Sequence, residues 1–325
     1  MTRYVLALAL LAATASPAQQ EGPATTQTLI SLESNTPAAP TSANLTVKVD
    51  NKAVQLAAVD PVPPTGVQIA LLIDDGLRTS VGREIGSLRD FLQGLPPAAE
   101  VFVGYMQNGR VAPAQGFTTD HAAAAAALRI PLSSPGISAS PYFCLSDFVK
   151  NWPSDENRLA RQTVAPARKA RIVLMLTNGV DPYNGSTSIL NQNSPYVDTA
   201  VHDAQRAGIP VYSIYFSDAG FGGGGGFGGR GARASFSGQS YLQQVAEGTG
   251  GTAFYQGTGS PVSLAPFLKR FQEAVANTYL LTFPASSRRD FVNLKVNTNL
   301  PHTRVHAAAQ VRPGTRLSNT QAPPA

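Results

Sequence analysis

The pattern of apolar and polar positions separates a central region from two flanks. Between residues 67 and 277, continuous apolar runs alternate with segments in which apolar residues recur at helical spacing. Three of these runs are Val67–Ile73, which is broken only by Gln68, Ile172–Leu176, and Val211–Phe216, which contains Ser213. A run without alternation is typical of a strand that is buried on both faces of a parallel sheet. The central region is therefore predicted to be an α/β fold, with a doubly wound and mostly parallel sheet.

The two flanks carry the shorter, alternating pattern of half-exposed strands. In the first flank, residues 44–66, Leu45, Val47 and Val49 alternate with polar residues. Residues 278–312 contain further strand-like segments, and no helical segment separates them. Strands that are joined without a helix pair antiparallel. We therefore predict that residues 278–312 pack with residues 44–66 in a small β-rich appendage to an α/β domain of residues 67–277.

The two ends of the chain are predicted to lie outside the folded regions. Residues 1–18 have the form of a secretory signal peptide, with Arg3 before an apolar run and small residues after it. The run is too short to span a bilayer, and no cysteine follows it for lipid attachment. We expect a secreted or periplasmic protein without stable membrane insertion after signal cleavage. Residues 19–43 are predicted to be a flexible lead and residues 313–325 a disordered tail.

Composition excludes some classes of partner and site. The 25 basic and 20 acidic residues give a net charge of +5, but the basic residues are scattered. A nucleic-acid-binding face needs a basic patch, so no nucleic-acid partner is predicted. Cys144 is the only cysteine, which excludes an intramolecular disulfide and a thiolate metal cluster. Residues 220–231 form a glycine-rich tract whose low complexity predicts a flexible loop rather than a dinucleotide-binding turn.

Carboxylate and amide side chains follow two of the buried runs. Asp74 and Asp75 end the first run, and Asn178 and Asp181 come shortly after the second. Open α/β sheets bind their ligands at the carboxyl ends of the strands. Asp74 or Asp75 could instead cap the next helix, and the sequence leaves both interpretations open.

Five motifs follow one another in a fixed order between Asn44 and Val311. They are the strand that ends in Asp74, Ser140-Pro141-Tyr142, Leu174-Met175-Leu176-Thr177-Asn178-Gly179, Gly208-Ile209-Pro210-Val211-Tyr212, and the closing segment from Tyr241-Leu242 through Gly250-Gly251 to Asn277-Thr278-Tyr279-Leu280-Leu281. By their order and spacing, these motifs together resemble the von Willebrand factor A (VWFA) domain superfamily, and most of all the VWFA-related domain proteins of Acidobacteria.

The resemblance implies the position of a metal-ion-dependent adhesion site. Its Asp-x-Ser-x-Ser run begins at Asp74, but Gly76 and Arg78 replace the two serines. Ser140 matches the threonine ligand, and Asn178 replaces the second aspartate. Mg²⁺ prefers octahedral oxygen ligation with carboxylate help. We therefore predict a degenerate site that is empty or binds Mg²⁺ or Mn²⁺ weakly, with no other cofactor. Its remaining ligands would be Asp74, Ser140 and Asp181.

The function that follows from this resemblance is an exported, non-enzymatic interaction module. We expect it to bind a protein or an extracellular matrix ligand through the carboxyl edge of the sheet. The predicted contact residues are Asp74, Asp75, Arg78, Ser140, Asn178 and Asp181. One alternative is a metal-dependent adhesion domain with a weak retained site. A second alternative, an envelope hydrolase, is disfavoured because the sequence contains no G-x-S-x-G nucleophile elbow.

Overall fold

The computed structural model describes residues 23–34, 39–133, 140–154, 169–181, 194–216, 230–257, 259–286 and 290–317. The predicted signal peptide lies outside these residues, as does the glycine-rich tract up to residue 229. The strands, in chain order, are β1 (Ala24–Ser34), β2 (Leu45–Val49), β3 (Lys52–Val54), β4 (Ala58–Pro61), β5 (Val67–Asp74), β6 (Glu100–Gln107), β7 (Arg110–Thr118), β8 (Ala170–Thr177), β9 (Val211–Tyr215), β10 (Ala253–Phe254), β11 (Thr278–Ala285), β12 (Val292–Thr298), β13 (Thr303–Ala307) and β14 (Gln310–Val311). The helices are α1 (Ile85–Gln93), α2 (His121–Ala126), α3 (Pro141–Lys150), α4 (Pro195–Ala207), α5 (Arg230–Thr249) and α6 (Ala265–Ala276), and a 3₁₀ turn spans Thr79–Glu84.

A six-stranded sheet forms the centre of the protein, in the order β10-β9-β8-β5-β6-β7. Neighbouring strands are parallel except at the edge, where β7 runs antiparallel to β6. Every residue of β5 is buried, because its apolar run meets helices on both faces of the sheet. Ile69, Leu71 and Ile73 belong to the core on the side of α1, α2 and α6. Ala70 and Leu72 belong to the core on the side of α3, α4 and α5. The prediction of a doubly wound, mostly parallel α/β fold is confirmed.

Gln68, the polar residue within β5, is buried and hydrogen-bonded. Its carbonyl oxygen accepts a hydrogen bond of 2.9 Å from the Trp152 indole. Its amide nitrogen donates one of 2.7 Å to Glu100, and Lys169 donates one of 2.6 Å to the other oxygen of that carboxylate. Because each group has a partner, this network removes the cost of placing an amide inside the sheet.

Two four-stranded sheets form the predicted β-rich appendage, in the orders β13-β1-β11-β4 and β14-β12-β2-β3. Strands from the amino-terminal flank pair antiparallel with strands from the carboxyl-terminal flank: β2 with β12, and β4 with β11. Residues of both sheets share one apolar core, which includes Ile30, Val47, Phe283 and Leu294. The predicted appendage from the two flanks is thus confirmed.

The prediction of a flexible lead over residues 19–43 is wrong for residues 24–34, which form β1. This strand lies between β11 and β13 and pairs with both. Its polar residues suggested a solvated segment, but Thr28 and Ser31 are buried, and the Ser31 hydroxyl lies 3.0 Å from the Tyr212 hydroxyl, which donates to it. Threonine also favours the extended backbone.

The prediction of a disordered tail is wrong for residues 313–317. Leu317 is buried and packs in a small cluster with Leu29, Ala170 and Leu280. Its backbone N–H donates a hydrogen bond of 2.8 Å to the Gln27 side chain. Residues 318–325 lie outside the described part of the chain. Among the helices that the structure describes, none is both long and apolar enough to cross a bilayer.

Candidate functional site

The carboxyl ends of β5 and β8 meet at Asp74 and Thr177. The Thr177 hydroxyl donates a hydrogen bond of 2.6 Å to Asp74 Oδ2. Asp74 Oδ1 accepts a hydrogen bond of 2.9 Å from the backbone N–H of Gly76. Both Asp74 and Thr177 are buried, so these bonds satisfy a carboxylate that has little access to water. Asp74 therefore lies at the centre of the predicted edge with both of its oxygens engaged.

Thr177 is a site residue that the adhesion-site motif did not single out. Besides donating to Asp74, its hydroxyl accepts a hydrogen bond of 3.1 Å from the backbone N–H of Gly179. It thus connects the end of β5 to the loop that follows β8. The signal was present in the sequence as a hydroxyl residue at the end of the second apolar run.

Asp75 faces a different set of partners from Asp74. Its carboxylate is fully buried and forms a two-pronged ion pair with Arg129, at 2.7 Å and 3.0 Å. It also accepts a hydrogen bond of 3.0 Å from the backbone N–H of Leu132. The alternative in which Asp74 or Asp75 caps the next helix is wrong. The residues before the 3₁₀ turn and before α1 are Arg78 and Glu84, and neither side chain makes a capping bond.

The loop after β8 is held by its own side chains. Asn178 Oδ1 accepts a hydrogen bond of 2.9 Å from the Val180 N–H. Asp181 is buried and accepts one of 2.6 Å from the Ser194 hydroxyl. Ser194 also accepts a bond from the Tyr196 N–H at the start of α4. The carboxylate of Asp181 therefore joins the loop to a helix N-terminus, where a negative charge is favourable.

Helix α3 begins beside this loop. The Tyr142 hydroxyl donates a hydrogen bond of 2.7 Å to the Gly179 carbonyl. Burial raises the pKa of Tyr142 well above its ordinary value, and the charges of Asp181 and Asp74 act in the same direction. Burial likewise raises the pKa of the Cys144 thiol to about 12, with a further contribution from Asp74. Cys144 is therefore an inert, protonated thiol at neutral pH.

Ser140 precedes α3 and is fully buried. Its hydroxyl makes no capping bond to the helix, and within the described residues it has no hydrogen-bond partner. A buried hydroxyl without a partner costs free energy, and it is a group that a ligand could satisfy. Arg78, in contrast, is exposed at the start of the 3₁₀ turn.

These residues fit a tightly bound divalent cation poorly. Asp74 already accepts two hydrogen bonds, and Asn178 contributes no charge where the adhesion site would have an aspartate. Within the described ranges, no group of three or more His, Cys, Asp or Glu side chains is placed to hold a metal ion. Weak binding of Mg²⁺ or Mn²⁺ through Asp74, Ser140 and Asp181 stays a prediction.

No protein-family model matches the chain, and no curated protein matches it. Among solved structures, the chain is similar to proximal thread matrix protein 1 from the mussel byssus, with 16% identity and a TM-score of 0.39 over 67% of this chain and 48% of that one. It is also similar to the VWA domain of SpRpn10, with 10% identity and a TM-score of 0.38 over 63% of this chain and 94% of that one. A third is the human COPII-coat protein Sec24c, with 9% identity and a TM-score of 0.37 over 77% of this chain and 44% of that one. The chain thus spans about half of the length of the mussel protein. The doubly wound α/β assignment rests on the strand order of this chain.

Proposed function

We propose that this protein is an exported, non-enzymatic interaction module of the von Willebrand factor A type. It binds a protein or matrix partner through the carboxyl edge of the six-stranded sheet, and it does so without a bridging cation. The observation that supports this proposal most directly is the engagement of both oxygens of Asp74 by Thr177 and Gly76.

The internal hydrogen bonds argue against cation-mediated binding. Asp74, Asp75 and Asp181 each accept bonds from neighbouring groups of the same chain. A cation that recruited Asp74 would share this carboxylate with the Thr177 hydroxyl and the Gly76 N–H, which already draw on its negative charge. The neutral Asn178 offers no anionic compensation. Ligand recognition at this edge is better supplied by hydrogen bonds and surface shape.

The same bonds make the edge rigid before a partner arrives. Thr177 ties two strands and a loop together, and Asp181 ties that loop to α4. Binding to a rigid surface loses less conformational entropy than binding to a mobile one. A pre-organised edge therefore suits the recognition of a partner surface.

A capture experiment tests the proposal. The mature protein, immobilised, is incubated with the native envelope fraction in the presence of EDTA, and partners are identified after chemical cross-linking. We expect capture to persist in EDTA and to fall at least about tenfold with Arg78→Glu, since like charges or lost contacts at an interface commonly cost more than about 1.4 kcal/mol. Arg312→Glu, which changes an exposed arginine after β14, is the matched control and should leave capture unchanged. Capture that requires Mg²⁺, or that survives Arg78→Glu undiminished, would contradict the proposal.

A second candidate, a metal-dependent adhesion domain with a weak site, is favoured by one observation. The buried Ser140 hydroxyl has no partner among the described residues, and a hydroxyl is one of the ligands that the resemblance implies there. Calorimetric titration with Mg²⁺ and Mn²⁺ separates the candidates. Saturable heat in the wild-type protein that is absent in Asp74→Ala would favour the metal site. No heat and no thermal shift would remove it.

A further inference from the structure

We propose that an apolar patch beside Asp75 is the docking surface for an acidic segment of a partner protein that also carries aliphatic or aromatic side chains. The patch, here called the Ile130–Leu132 patch, consists of Ile130 and Leu132 with the adjoining 3₁₀ turn Thr79–Glu84. The inference rests on the proposed function, because the patch lies at the same sheet edge. It adds the location of the contact and the chemical class of the partner.

The patch exposes large apolar side chains within a short segment. Of the large hydrophobic residues in the described part of the chain, those that are exposed are Ile130, Leu132, Tyr255 and Val262. Ile130 is 48% exposed and Leu132 is 65% exposed, while Pro131 between them is buried. The two side chains therefore point outward on either side of an anchored proline. Clustered apolar side chains on a surface mark interaction sites more often than single ones do.

A buried ion pair fixes the backbone of this segment. The fully buried Asp75 carboxylate binds the Arg129 guanidinium and the Leu132 N–H, the residues on either side of Ile130 and Pro131. The Tyr105 hydroxyl donates a hydrogen bond of 2.7 Å to the Arg129 carbonyl and accepts one of 2.6 Å from the Arg129 N–H. The Arg129 guanidinium also lies 3.7 Å from the centre of the Tyr105 ring.

These contacts hold the apolar side chains away from the core. A free loop would be expected to turn Ile130 and Leu132 inward, because exposing them to water is unfavourable by up to about 1.5–3 kcal/mol per side chain. Here the loop is held in one conformation by charge-assisted bonds, which are among the strongest in proteins. A rigid apolar projection loses little entropy when a partner covers it.

The 3₁₀ turn extends the patch and gives it a positive charge. A Cβ atom at Gly82 would lie 3.1 Å from Ile130 Cδ1, so the turn and the loop are in contact. The Ser133 hydroxyl donates a hydrogen bond of 3.0 Å to the Leu77 carbonyl just before the turn. Arg83 on this turn is exposed, and so is Arg78 immediately before it.

The acidic residues nearby are directed inward. Glu84 accepts a hydrogen bond of 2.9 Å from the Leu264 N–H, and Asp75 is fully buried. The outer surface therefore combines aliphatic side chains with arginines. Its complement is a segment in which apolar residues alternate with Asp or Glu, since opposite charges steer the encounter and apolar anchors supply affinity.

The test uses the full mature chain and a random peptide library displayed on phage. After selection, synthetic peptides from the enriched clones are measured by fluorescence polarisation. We expect enriched peptides to contain Asp or Glu together with aliphatic or aromatic residues. Binding should weaken at least about tenfold in Leu132→Ser and in Arg83→Glu, as is common for interface anchors.

Val262→Ser and Arg312→Glu are the matched controls, and they should bind as the wild type does. Because all four positions are exposed, their melting temperatures should agree with the wild-type value.

Three results would overturn this inference. One is enrichment of neutral or basic peptides, and another is undiminished binding by Leu132→Ser. The third is a self-association, seen by sedimentation equilibrium, that Leu132→Ser abolishes, because the patch would then bind a second copy of this chain. The native-partner capture separates this inference from the proposed function. If Leu132→Ser still captures the partner and Arg78→Glu does not, the docking surface is wrong but the proposed function stands. If neither variant reduces capture, the proposed function is wrong as well.

Discussion

The Thr177 hydroxyl donates a hydrogen bond of 2.6 Å to the buried carboxylate of Asp74, and this contact joins the carboxyl ends of the two central strands of the sheet. Through its second bond, from the Gly179 N–H, Thr177 also positions the loop that carries Asn178 and Asp181. The candidate site is therefore one connected structure, in which the Thr177 hydroxyl joins two strand ends and a loop.

Replacing Thr177 by valine tests the strength of this connection. Valine keeps the shape of threonine but removes the hydroxyl that donates to Oδ2 of the buried Asp74. We expect the free energy of unfolding to fall by about 1–3 kcal/mol, measured by urea denaturation. Thr199→Val is the control, because the Thr199 hydroxyl bonds to a carbonyl on the exposed surface of α4. An equal loss in both variants would contradict the role assigned to Thr177.

The ion pair beneath the Ile130–Leu132 patch should respond unequally to removal of its two members. Arg129→Met leaves the Asp75 carboxylate buried with a backbone N–H as its remaining donor of those described here. We expect this to cost about 2–4 kcal/mol, somewhat less than for a fully buried pair because the Arg129 side chain is 37% exposed. Asp75→Asn removes the buried charge together with the ion pair and should cost at least about 1 kcal/mol less. Urea denaturation of both variants measures the difference. If Asp75→Asn lost more free energy of unfolding than Arg129→Met, the destabilisation of Arg129→Met would not come mainly from the buried, unpaired charge of Asp75.

Helix α5 approaches the site loop so closely that only glycine fits at position 238. A Cβ atom there would lie 2.2 Å from the Asn178 carbonyl oxygen. Gly238→Ala should therefore displace the helix or the loop and destabilise the protein by about 1–3 kcal/mol. Gly86→Ala in α1 is the matched control, since a Cβ atom there meets nothing within 4 Å. That variant should gain up to about 0.5–1 kcal/mol from helix propensity. Thermal unfolding distinguishes the two directions.

The network around Gln68 predicts a pH dependence. Burial acts to raise the pKa of Glu100, but the hydrogen bonds from Lys169 and Gln68 outweigh it and lower the pKa from 4.5. A carboxyl group whose pKa is lower in the folded state than in the unfolded state stabilises the fold at any pH above its unfolded-state pKa. That stabilisation is lost as the pH falls through the folded-state pKa. The wild-type protein should therefore lose this stabilisation below pH 4.5.

Urea midpoints between about pH 3 and pH 6 measure this effect. Glu100→Gln should show a shallower decline on acidification than the wild type. Glu273→Gln, on the exposed face of α6, should retain the wild-type dependence. If the urea midpoints of Glu100→Gln and the wild type fell equally on acidification, the Glu100 network would make no contribution to the pH dependence of stability.

The central sheet was predictable from the sequence because its strands are buried on both faces. A strand such as β5 must then be apolar along its whole length, apart from Gln68, and this pattern is visible without knowledge of the partners. The same holds for the position of Asp74, since the end of an apolar run marks the end of a strand. The antiparallel pairing of the two flanks was also predictable, because no helix interrupts them.

The polar contacts that complete the site were not predictable in the same way. Asp75 pairs with Arg129, which lies 54 residues further along the chain, and nothing local in the sequence joins them. Strand β1 was missed because its threonines and Gln27 resemble a solvated segment, whereas their partners come from the far end of the chain. Exposure of Ile130 and Leu132 likewise depends on the tertiary ion pair and not on local pattern.

Strand β1 has a consequence for how the molecule is assembled. Gln27 and Thr282 bond to each other although 255 positions separate them, and the two neighbours of β1 are β11 and β13. During synthesis from the amino terminus, β1 is made long before β11 and β13. Until those strands are made, neither edge of β1 can form its backbone hydrogen bonds. An uncovered strand pairs readily with other molecules. A chain truncated before β11 would therefore leave β1 unpaired and would aggregate rather than fold as a smaller soluble protein.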